Sequence, residues 1–320
     1  MALAISGITW ILSYRCNLNC RHCFFDVDGP LRVLDSEMAH KALVSLNQSE
    51  SLSWQHVSGG EPLLFEQELH RLLEVIQASG SKTIGIATNG FWGDSLQRAK
   101  QTVAQLKQRG VNGVCLSADK YHQQYIPLEH IQTAAEQVFA QGLGKHSFIV
   151  RCCLEEEKPA TEKESFALPL APIPVRTIGK GSSLALEAAL GHKEGLPNSP
   201  CRNLCCCLGE TSPFEPQMVW IDPYGNVMIC YGLIIGNLNA ESLVDILENY
   251  SVRQSAFLET LATQGPIGLY QLAVKTGWQP VGPFADECDL CWQARYALRG
   301  DFPEALGPDE CYPDFIGTGL

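Results

Sequence analysis

Three cysteines stand close together near the start of the chain, in the stretch SYRCNLNCRHCFF. Cys16, Cys20 and Cys23 follow the pattern C-x₃-C-x₂-C, and thiolates are ligands for zinc and for iron–sulfur clusters. A structural zinc site needs four protein ligands, and His22 is awkwardly placed between two of the cysteines to be the fourth. A [4Fe–4S] cluster held by three thiolates leaves one iron open to another ligand. The triad therefore predicts a cluster with one open iron.

A second group of cysteines lies near the C-terminus of this 320-residue chain, which has 14 cysteines in all. Gly225 and Cys230 lie within VWIDPYGNVMICYG, a stretch that predicts a hairpin with its turn over 222–225. Cys288 and Cys291 form a C-x₂-C pair. The chain is too long for a small disulfide scaffold, so this composition favours metal binding in a reducing compartment, and we expect a cytoplasmic location.

Strand and helix patterns alternate through the first half of the chain. The apolar spacing predicts strands over 7–13, 52–58, 82–88, 111–117 and 146–153, and helices from 36 and over 66–80, 94–110 and 128–142. This alternation predicts an α/β fold with a parallel sheet or partial barrel. It stops at the charged stretch 154–165, which we expect to be an exposed loop. Because 166–200 is rich in Gly, Pro and Ser, we place a domain boundary near residue 195.

The cysteine triad, with the aromatic-type His22 before its last cysteine, resembles the signature of the radical SAM enzymes. Three later stretches fit in order: SGGEP over 58–62, TNGFWG over 88–93 and LSADKYH over 116–122. The resemblance covers roughly residues 8–155 and implies a partial (β/α)₆ TIM-like barrel. In that superfamily the open iron chelates S-adenosylmethionine (SAM). One electron then cleaves SAM to a 5′-deoxyadenosyl radical, which abstracts hydrogen from the substrate.

The resemblance also implies roles for individual residues. Cys16, Cys20 and Cys23 would be the metal ligands. The cofactor-binding residues would be Gly59, Gly60, Glu61, Asn89, Ser117, Asp119 and Arg151. Glu61 would meet the amino group of SAM, while Ser117 and Asp119 would contact its ribose. A helix-capping role for Asp119 is the alternative.

The C-terminal cysteines resemble a truncated SPASM, or twitch-like, auxiliary iron–sulfur domain. This divides the chain into a radical SAM core over 1–195 and an auxiliary domain over 196–320. Ala297 stands where the full two-cluster pattern has a cysteine, so one auxiliary [4Fe–4S] cluster is favoured over two. Its ligands would be Cys230, Cys288, Cys291 and one of Cys201, Cys205, Cys206 and Cys207, of which Cys207 or Cys205 is preferred. Cys311 is a spare thiol or an alternative ligand.

Within the superfamily, the chain is most similar to small bacterial radical SAM peptide epimerases. Those enzymes take the Cα hydrogen from one face of a residue, and a cysteine thiol returns hydrogen to the other. Here Tyr231 stands at the donor position. The candidate catalytic residues are therefore Tyr231, Cys206 and Cys153, with Cys152 and Cys311 as further thiols.

Three other functions remain open. The first is oxidative crosslinking of a ribosomally made peptide. The second is oxidation or epimerisation of a small molecule such as a sugar or aminoglycoside. The third is non-catalytic electron transfer, against which the SGGEP stretch speaks because electron transfer needs no contact with SAM.

Charge and hydropathy narrow the set of partners. The formal net charge of −12 disfavours nucleic acid, since duplex binding needs a cationic surface. No run of about 18 apolar residues predicts a membrane span. The N-terminus lacks the positive region and cleavage site of a signal peptide. The expected partners are a precursor peptide and a one-electron reductase such as flavodoxin or ferredoxin.

Overall fold

One mixed sheet of nine strands forms the centre of the computed structural model, within the residues that it describes: 4–46, 52–153, 166–187, 196–197, 201, 215–280 and 283–314. The strand order is β6-β5-β4-β3-β2-β1-β7-β8-β9. The strands β1 to β7 run in parallel, and β7 to β9 are antiparallel to one another.

The first five strands and the helices between them confirm the predicted alternation. The strands are β1 (Gly7–Ile11), β2 (Trp54–Ser58), β3 (Thr83–Thr88), β4 (Gly113–Ser117) and β5 (Phe148–Cys153). The helices are α1 (Ser36–Ser45), α2 (Glu66–Ala78), α3 (Leu96–Gln108) and α4 (Leu128–Ala140). Each predicted end lies within two residues of the observed one.

The helices pack on the sheet through residues spaced three or four apart. In α2, for example, Leu69, Leu72, Leu73 and Ile76 are fully buried. This spacing puts four apolar side chains on one face of the helix, because successive turns repeat every 3.6 residues. The 3.6-residue spacing of apolar residues that predicts this helix from the sequence therefore also determines which of its faces is buried.

The strand β6 (Leu170–Pro174) was not predicted from the residue pattern. Its sequence, LAPIP, has prolines at 172 and 174, which normally argue against a strand. The strand lies at the edge of the sheet and pairs only with β5. An edge strand tolerates proline because the missing N–H groups can face away from the ladder.

The predicted C-terminal hairpin is confirmed as β7 (Met218–Ile221) and β8 (Asn226–Cys230), followed by β9 (Leu233–Asn237). The Asp222 carboxylate closes the turn by accepting the backbone N–H groups of Tyr224 and Asn226, each at 2.9 Å. Because β7 pairs with β1, this hairpin continues the sheet of the first half. The predicted boundary near residue 195 falls outside the described residues and stays a prediction.

The remaining helices are α5 (Lys180–Glu187), α6 (Leu243–Asn249), α7 (Ala256–Lys275) and α8 (Glu287–Leu298). The α8 helix carries the C-x₂-C pair and packs against α7. Within the described ranges, no helix has the length and apolar character needed to cross a membrane.

Candidate active site

A single cavity lies at the carboxyl ends of the parallel strands, where β/α barrels place their active sites. Residues from both halves of the chain line it: Cys16, Cys20, His22, Cys23, Phe24, Phe25, Gly59, Gly60, Thr88, Asn89, Cys115, Ser117, His122, Cys152, Arg176 and Tyr231. The predicted triad, both predicted glycines, Asn89 and Ser117 are therefore brought to one place.

The Cys16 thiol is held by hydrogen bonds, and all three thiols of the triad are at least half-buried. The Cys16 Sγ accepts from the backbone N–H of Leu18 at 3.4 Å and faces the Asn89 amide at 3.7 Å. Burial raises the pKa of Cys16 to about 12 and raises the pKa values of Cys20 and Cys23. Such thiols lose their protons only when a metal compensates the charge. Three neighbouring thiols, one of them with N–H donors aimed at its sulfur, fit an iron–sulfur cluster.

The loop after β2 lies directly on the backbone that leads into the triad. Gly60 N–H donates to the Ser13 carbonyl at 2.8 Å, and Glu61 N–H donates to the Arg15 carbonyl at 3.0 Å. A Cβ on Gly60 would lie 2.0 Å from the Arg15 oxygen. At Gly59, φ is +134° and a Cβ would lie 2.3 Å from the Ser13 oxygen. Both glycines are therefore required by this close approach of two backbones.

Glu61 lies behind the cavity wall rather than on it. Its carboxylate accepts from Thr88 Oγ1 at 2.9 Å, from Asn89 N–H at 2.7 Å and from Leu63 N–H at 3.1 Å. Burial raises the pKa of Glu61 to about 7, although these hydrogen bonds oppose the shift. The side chain thus ties the loop after β2 to the end of β3. Its predicted contact with the amino group of SAM stays a prediction.

Asp119 joins the end of β4 to the cysteine loop. Its fully buried carboxylate contacts His122 Nδ1 at 2.9 Å and His22 Nε2 at 3.5 Å. Burial alone would raise the pKa of Asp119, but the two imidazoles hold it well below its ordinary value. The carboxylate also accepts the N–H groups of Tyr121 and His122 and so closes the turn that follows β4. No helix begins at Asp119, so it caps this turn rather than a helix, and the predicted ribose contact stays a prediction.

His22 belongs to two groups of three metal-ligating side chains whose ligand atoms lie within 4.8 Å of one another. One group contains Cys20 and His122, and the other contains Asp119 and Cys152. Such groups also fit a single ion such as Zn²⁺. Iron and sulfide content is therefore the measurement that separates an iron–sulfur cluster from a zinc site in this loop.

The two cysteines of β5 point in opposite directions, as neighbours in a strand do. Cys152 lines the cavity, whereas the Cys153 Sγ donates to the Ile173 carbonyl of β6 at 3.6 Å. Arg151 also alternates with the cavity residues, and its Nε donates to the Ala118 carbonyl at 3.3 Å. The structure thus places Cys152 where Cys153 was expected, and Arg151 is not among the cavity-lining residues.

Tyr231 connects the C-terminal hairpin to the cysteine triad. Its ring lies 5.0 Å from that of Phe24 and 5.2 Å from that of Phe25, the two residues after Cys23. It directly follows Cys230, the last residue of β8. Tyr231 therefore touches the cavity on one side and the second group of cysteines on the other.

The second group of cysteines converges beside this hairpin. Burial raises the pKa of Cys201, and the neighbouring thiols that add to the shift are Cys291, Cys230 and Cys288. Burial likewise raises the pKa of Cys288 to about 12. Cys230 and Cys291 are buried, and Cys201 and Cys288 are half-buried. Four cysteines near one another in this setting fit a second metal centre. The preferred fourth ligand, Cys207, and its neighbours Cys205 and Cys206 lie outside the described residues.

Cys311 lies apart from these thiols, in a hydrogen-bonded group behind the first strand. Its Sγ is 3.6 Å from the Tyr14 hydroxyl, which donates to Asp222 at 3.0 Å. The Trp292 indole N–H donates to the Cys311 carbonyl at 3.2 Å. These contacts describe a buried structural thiol.

Sequence reasoning did not single out three of the cavity residues. His122 follows Asp119 by three residues, a spacing that places a side chain back onto an Asx-type turn. Arg176 lies two residues after β6, a strand that its prolines made difficult to predict from the sequence. Cys115 of β4 also lines the cavity. These residues can be identified as cavity-lining only once the positions of the strand ends are known.

Sequence comparisons match part of this chain to known proteins, and the family match covers the cysteine triad. Residues 10–139 match the family model of the Radical SAM superfamily. YydG of Bacillus subtilis (strain 168), a candidate peptide biosynthesis protein, is 25% identical over 126 residues, which are 39% of each chain. The Molybdenum cofactor biosynthesis protein 1 of Bos taurus is 27% identical over 111 residues, which are 34% of this chain and 17% of that protein. The chain thus aligns with well under half the length of these relatives.

Solved structures agree with the fold. Streptococcus suis SuiB, bound to its precursor peptide SuiA, has a TM-score of 0.56 at 14% identity, covering 91% of this chain and 76% of that one. The enzyme anSMEcpe with bound AdoMet has a TM-score of 0.53 at 13% identity, covering 93% and 97%. The predicted TIM-like α/β fold is therefore confirmed. With the triad, the glycine loop and the strand order in place, residues 10–139 are a radical SAM domain.

Proposed function

We propose that this chain is an enzyme that takes a hydrogen atom from a ribosomally made peptide by means of SAM. The observation that carries the proposal is the shared cavity. It brings the Cys16, Cys20 and Cys23 thiols together with two hydrogen-bearing side chains, Cys152 and Tyr231. When bound, a reduced [4Fe–4S] cluster with SAM supplies a 5′-deoxyadenosyl radical.

The residues of the chain would hold these groups and orient them. The triad would ligate three irons, and Asn89 and the Leu18 N–H would stabilise the Cys16 sulfur. The Gly59 and Gly60 backbone forms the adjacent wall, close enough for a ligand to approach the main chain. Ser117 offers a hydroxyl at the end of β4.

A peptide substrate is supported by the similarity to YydG, a candidate peptide biosynthesis protein, and by the likeness of the fold to SuiB, which binds a precursor peptide. Since both relationships are distant, the substrate is part of the proposal. A one-electron reductase such as flavodoxin or ferredoxin would be the second partner. The cysteine content favours a cytoplasmic location.

For epimerisation, the substrate Cα–H bond would break, and SAM bound by these residues would supply the acceptor for its hydrogen atom. A side chain then donates a hydrogen atom to the opposite face of the Cα radical. The resulting side-chain radical needs one electron and one proton, the electron from the external reductase. Cys152 and Tyr231 are supported as donors by their position, whereas Cys153 is not and Cys206 lies outside the described residues. Crosslinking would instead pass the product's electron to an auxiliary centre.

The auxiliary centre would be a single [4Fe–4S] cluster in the C-terminal half. Cys230, Cys288 and Cys291 would supply three ligands. Cys201 is supported as the fourth because all three of these thiols lie close enough to add to the rise of its pKa that burial causes. Cys207, which the sequence favours, lies outside the described residues and stays a prediction.

The test uses anaerobically reconstituted protein, SAM and dithionite. We expect release of 5′-deoxyadenosine, and we expect the Cys16/Cys20/Cys23→Ala triple variant to release none. If the triple variant still cleaved SAM, the proposed cofactor site would be wrong. With the peptide encoded beside the gene, unchanged mass in water and a gain of one unit in D₂O would indicate epimerisation. A loss of two hydrogens would indicate oxidation or crosslinking.

Small-molecule chemistry is the second candidate, because the same segment of the chain also matches a molybdenum cofactor biosynthesis protein. The peptide assay separates the two. Hydrogen transfer from deuterated peptide into 5′-deoxyadenosine supports the peptide substrate. Uncoupled SAM cleavage with no transfer of label supports the small molecule.

A further inference from the structure

Arg295 is a fully buried cation without an acidic partner among the described residues. It lies on α8, one side of which also carries Cys288 and Cys291 at spacings of seven and four residues. Its side chain is only 1% exposed. Within the described part of the chain, no carboxylate lies within ion-pair distance, and its Nε has no hydrogen-bond acceptor.

The contacts that Arg295 does make lead to the second group of cysteines. One terminal nitrogen donates to the Tyr231 carbonyl at 2.8 Å, next to Cys230. Burial raises the pKa values of Cys291 and Cys201, and the nearby Arg295 charge opposes the shift at both thiols. Its Cζ lies 5.8 Å from the centre of the Tyr312 ring. The guanidinium is therefore aimed at the four-thiol site.

This arrangement is unfavourable unless the thiol site carries negative charge. A guanidinium stays protonated in proteins, and a buried unpaired charge costs several kcal/mol. Neutral thiols cannot compensate it. Four thiolates around a [4Fe–4S]²⁺ core have a net charge of −2, and the guanidinium would offset half of it.

We propose that Arg295 is the built-in counter-charge of an auxiliary [4Fe–4S] cluster held by Cys201, Cys230, Cys288 and Cys291, and that it makes this cluster easier to reduce. This inference rests on the auxiliary centre of the proposed function. Arg295 is a positioning residue, since it acts on the cluster through the sulfur ligands and not on the substrate. Charge near a cluster and hydrogen bonds to its sulfurs are established determinants of cluster potential.

The test isolates the auxiliary cluster in the full-length Cys16/Cys20/Cys23→Ala triple variant. Iron and sulfide are counted after anaerobic reconstitution, and the reduced fraction is followed by electron paramagnetic resonance in a redox titration. Adding Arg295→Met should lower the ratio of reduced to oxidised cluster about tenfold at a fixed potential, which equals a shift of about 59 mV for a one-electron couple. Arg295→Lys, which keeps the charge, should lower the ratio less than threefold.

Arg299→Met is the matched control, because Arg299 ends the same helix, is partly exposed and pairs with Asp309 at 3.2 Å. It should leave the ratio unchanged. An unchanged ratio in Arg295→Met at normal iron content would overturn the role of Arg295 alone. If Arg295→Met loses its iron, retention of the cluster by Arg295→Lys supports the charge role, and its loss there as well overturns it.

A different result would disprove the proposed auxiliary cluster itself. If the triple variant without further changes binds no iron, both the auxiliary cluster and the role of Arg295 are wrong. SAM cleavage by the wild-type protein then still decides whether the N-terminal site works as proposed.

Discussion

At the scale of single residues, the cavity depends on which way each side chain of a strand points. Cys152 and Cys153 have the same chemistry and are adjacent, yet only Cys152 shares the cavity with the cysteine triad. Its sulfur also lies within 4.8 Å of ligand atoms of His22 and Asp119. These two side chains therefore lie beside the Cys152 thiol.

Paired variants of these cysteines test the hydrogen donor. We expect Cys152→Ala to keep its iron and to release 5′-deoxyadenosine, but to reduce deuterium incorporation into the peptide from D₂O at least tenfold. Cys153→Ala should match the wild type in all three measurements. If Cys153→Ala reduced deuterium incorporation and Cys152→Ala did not, Cys152 would be excluded as the donor. If only Tyr231→Phe reduced deuterium incorporation, the donor would be Tyr231.

Glu61 should make stability depend on pH. Its pKa is raised from 4.5 to about 7 by burial, so the folded chain binds more protons than the unfolded chain between these values. The contribution of Glu61 to stability is therefore greatest below pH 4.5 and is lost as pH rises towards 7, by roughly 3 kcal/mol at about 1.4 kcal/mol per pKa unit.

Urea unfolding of the cluster-free chain at pH 5 and pH 7.5 measures this effect. Glu61→Gln should be less stable than the wild type at pH 5, because it removes an acceptor, and should lose much less stability on going to pH 7.5. Equal pH dependence in both proteins would show that Glu61 does not titrate as proposed.

At the scale of elements, the site is assembled by loops that follow the strands. The loop after β2 is hydrogen-bonded to the chain between β1 and Cys16, and the loop after β3 is fixed to it through Glu61. The cysteine triad thus owes its shape to two neighbouring loops as well as to its own sequence.

Gly60→Ala tests this support. The new Cβ would lie 2.0 Å from the Arg15 oxygen, so one backbone must move. We expect a loss of about 1–3 kcal/mol in stability, typical of overpacking, together with lower iron binding. Gly300→Ala is the control, because no atom lies within 4 Å of its Cβ position and both measurements should stay at wild-type values. Normal iron binding by Gly60→Ala would contradict the proposed support.

At the scale of the whole molecule, one sheet joins the two groups of cysteines. The central strand β1 pairs with β2 on one side and with β7 on the other. Val219, Trp220 and Ile221 of β7 are at most 1% exposed. Each half of the chain therefore buries part of the other.

A fragment of residues 1–195 tests this dependence. Without β7 it exposes an unpaired edge of β1 and the apolar surface that β7 covers, which favours aggregation. We expect little soluble fragment and no cooperative thermal transition by circular dichroism. The full-length triple cysteine variant is the control, since it lacks the N-terminal ligands but keeps β7. Cooperative melting of the fragment near the temperature of the full chain would disprove the dependence.

The sequence by itself determined the chemistry of the first site and most of the elements around it. The spacing of Cys16, Cys20 and Cys23 is local, and so are the 3.6-residue and two-residue periods that predicted the strands up to β5 and the helices between them. The turn at 222–225 was likewise predictable, because an Asp side chain closes it over a few residues. Local patterns of this kind can be read without knowing what packs against them.

Only the tertiary structure decided which distant residues meet. It placed Cys201 against Cys230, Cys288 and Cys291, turned Cys152 rather than Cys153 into the cavity, and aimed Arg295 at a group of thiols up to 94 residues away in the chain. The edge strand β6 could not be predicted from the sequence for a related reason. Its prolines are tolerated only because no further strand pairs with it. Contacts between distant segments depend on strand order and on which face of each element is covered, and no local spacing contains that information.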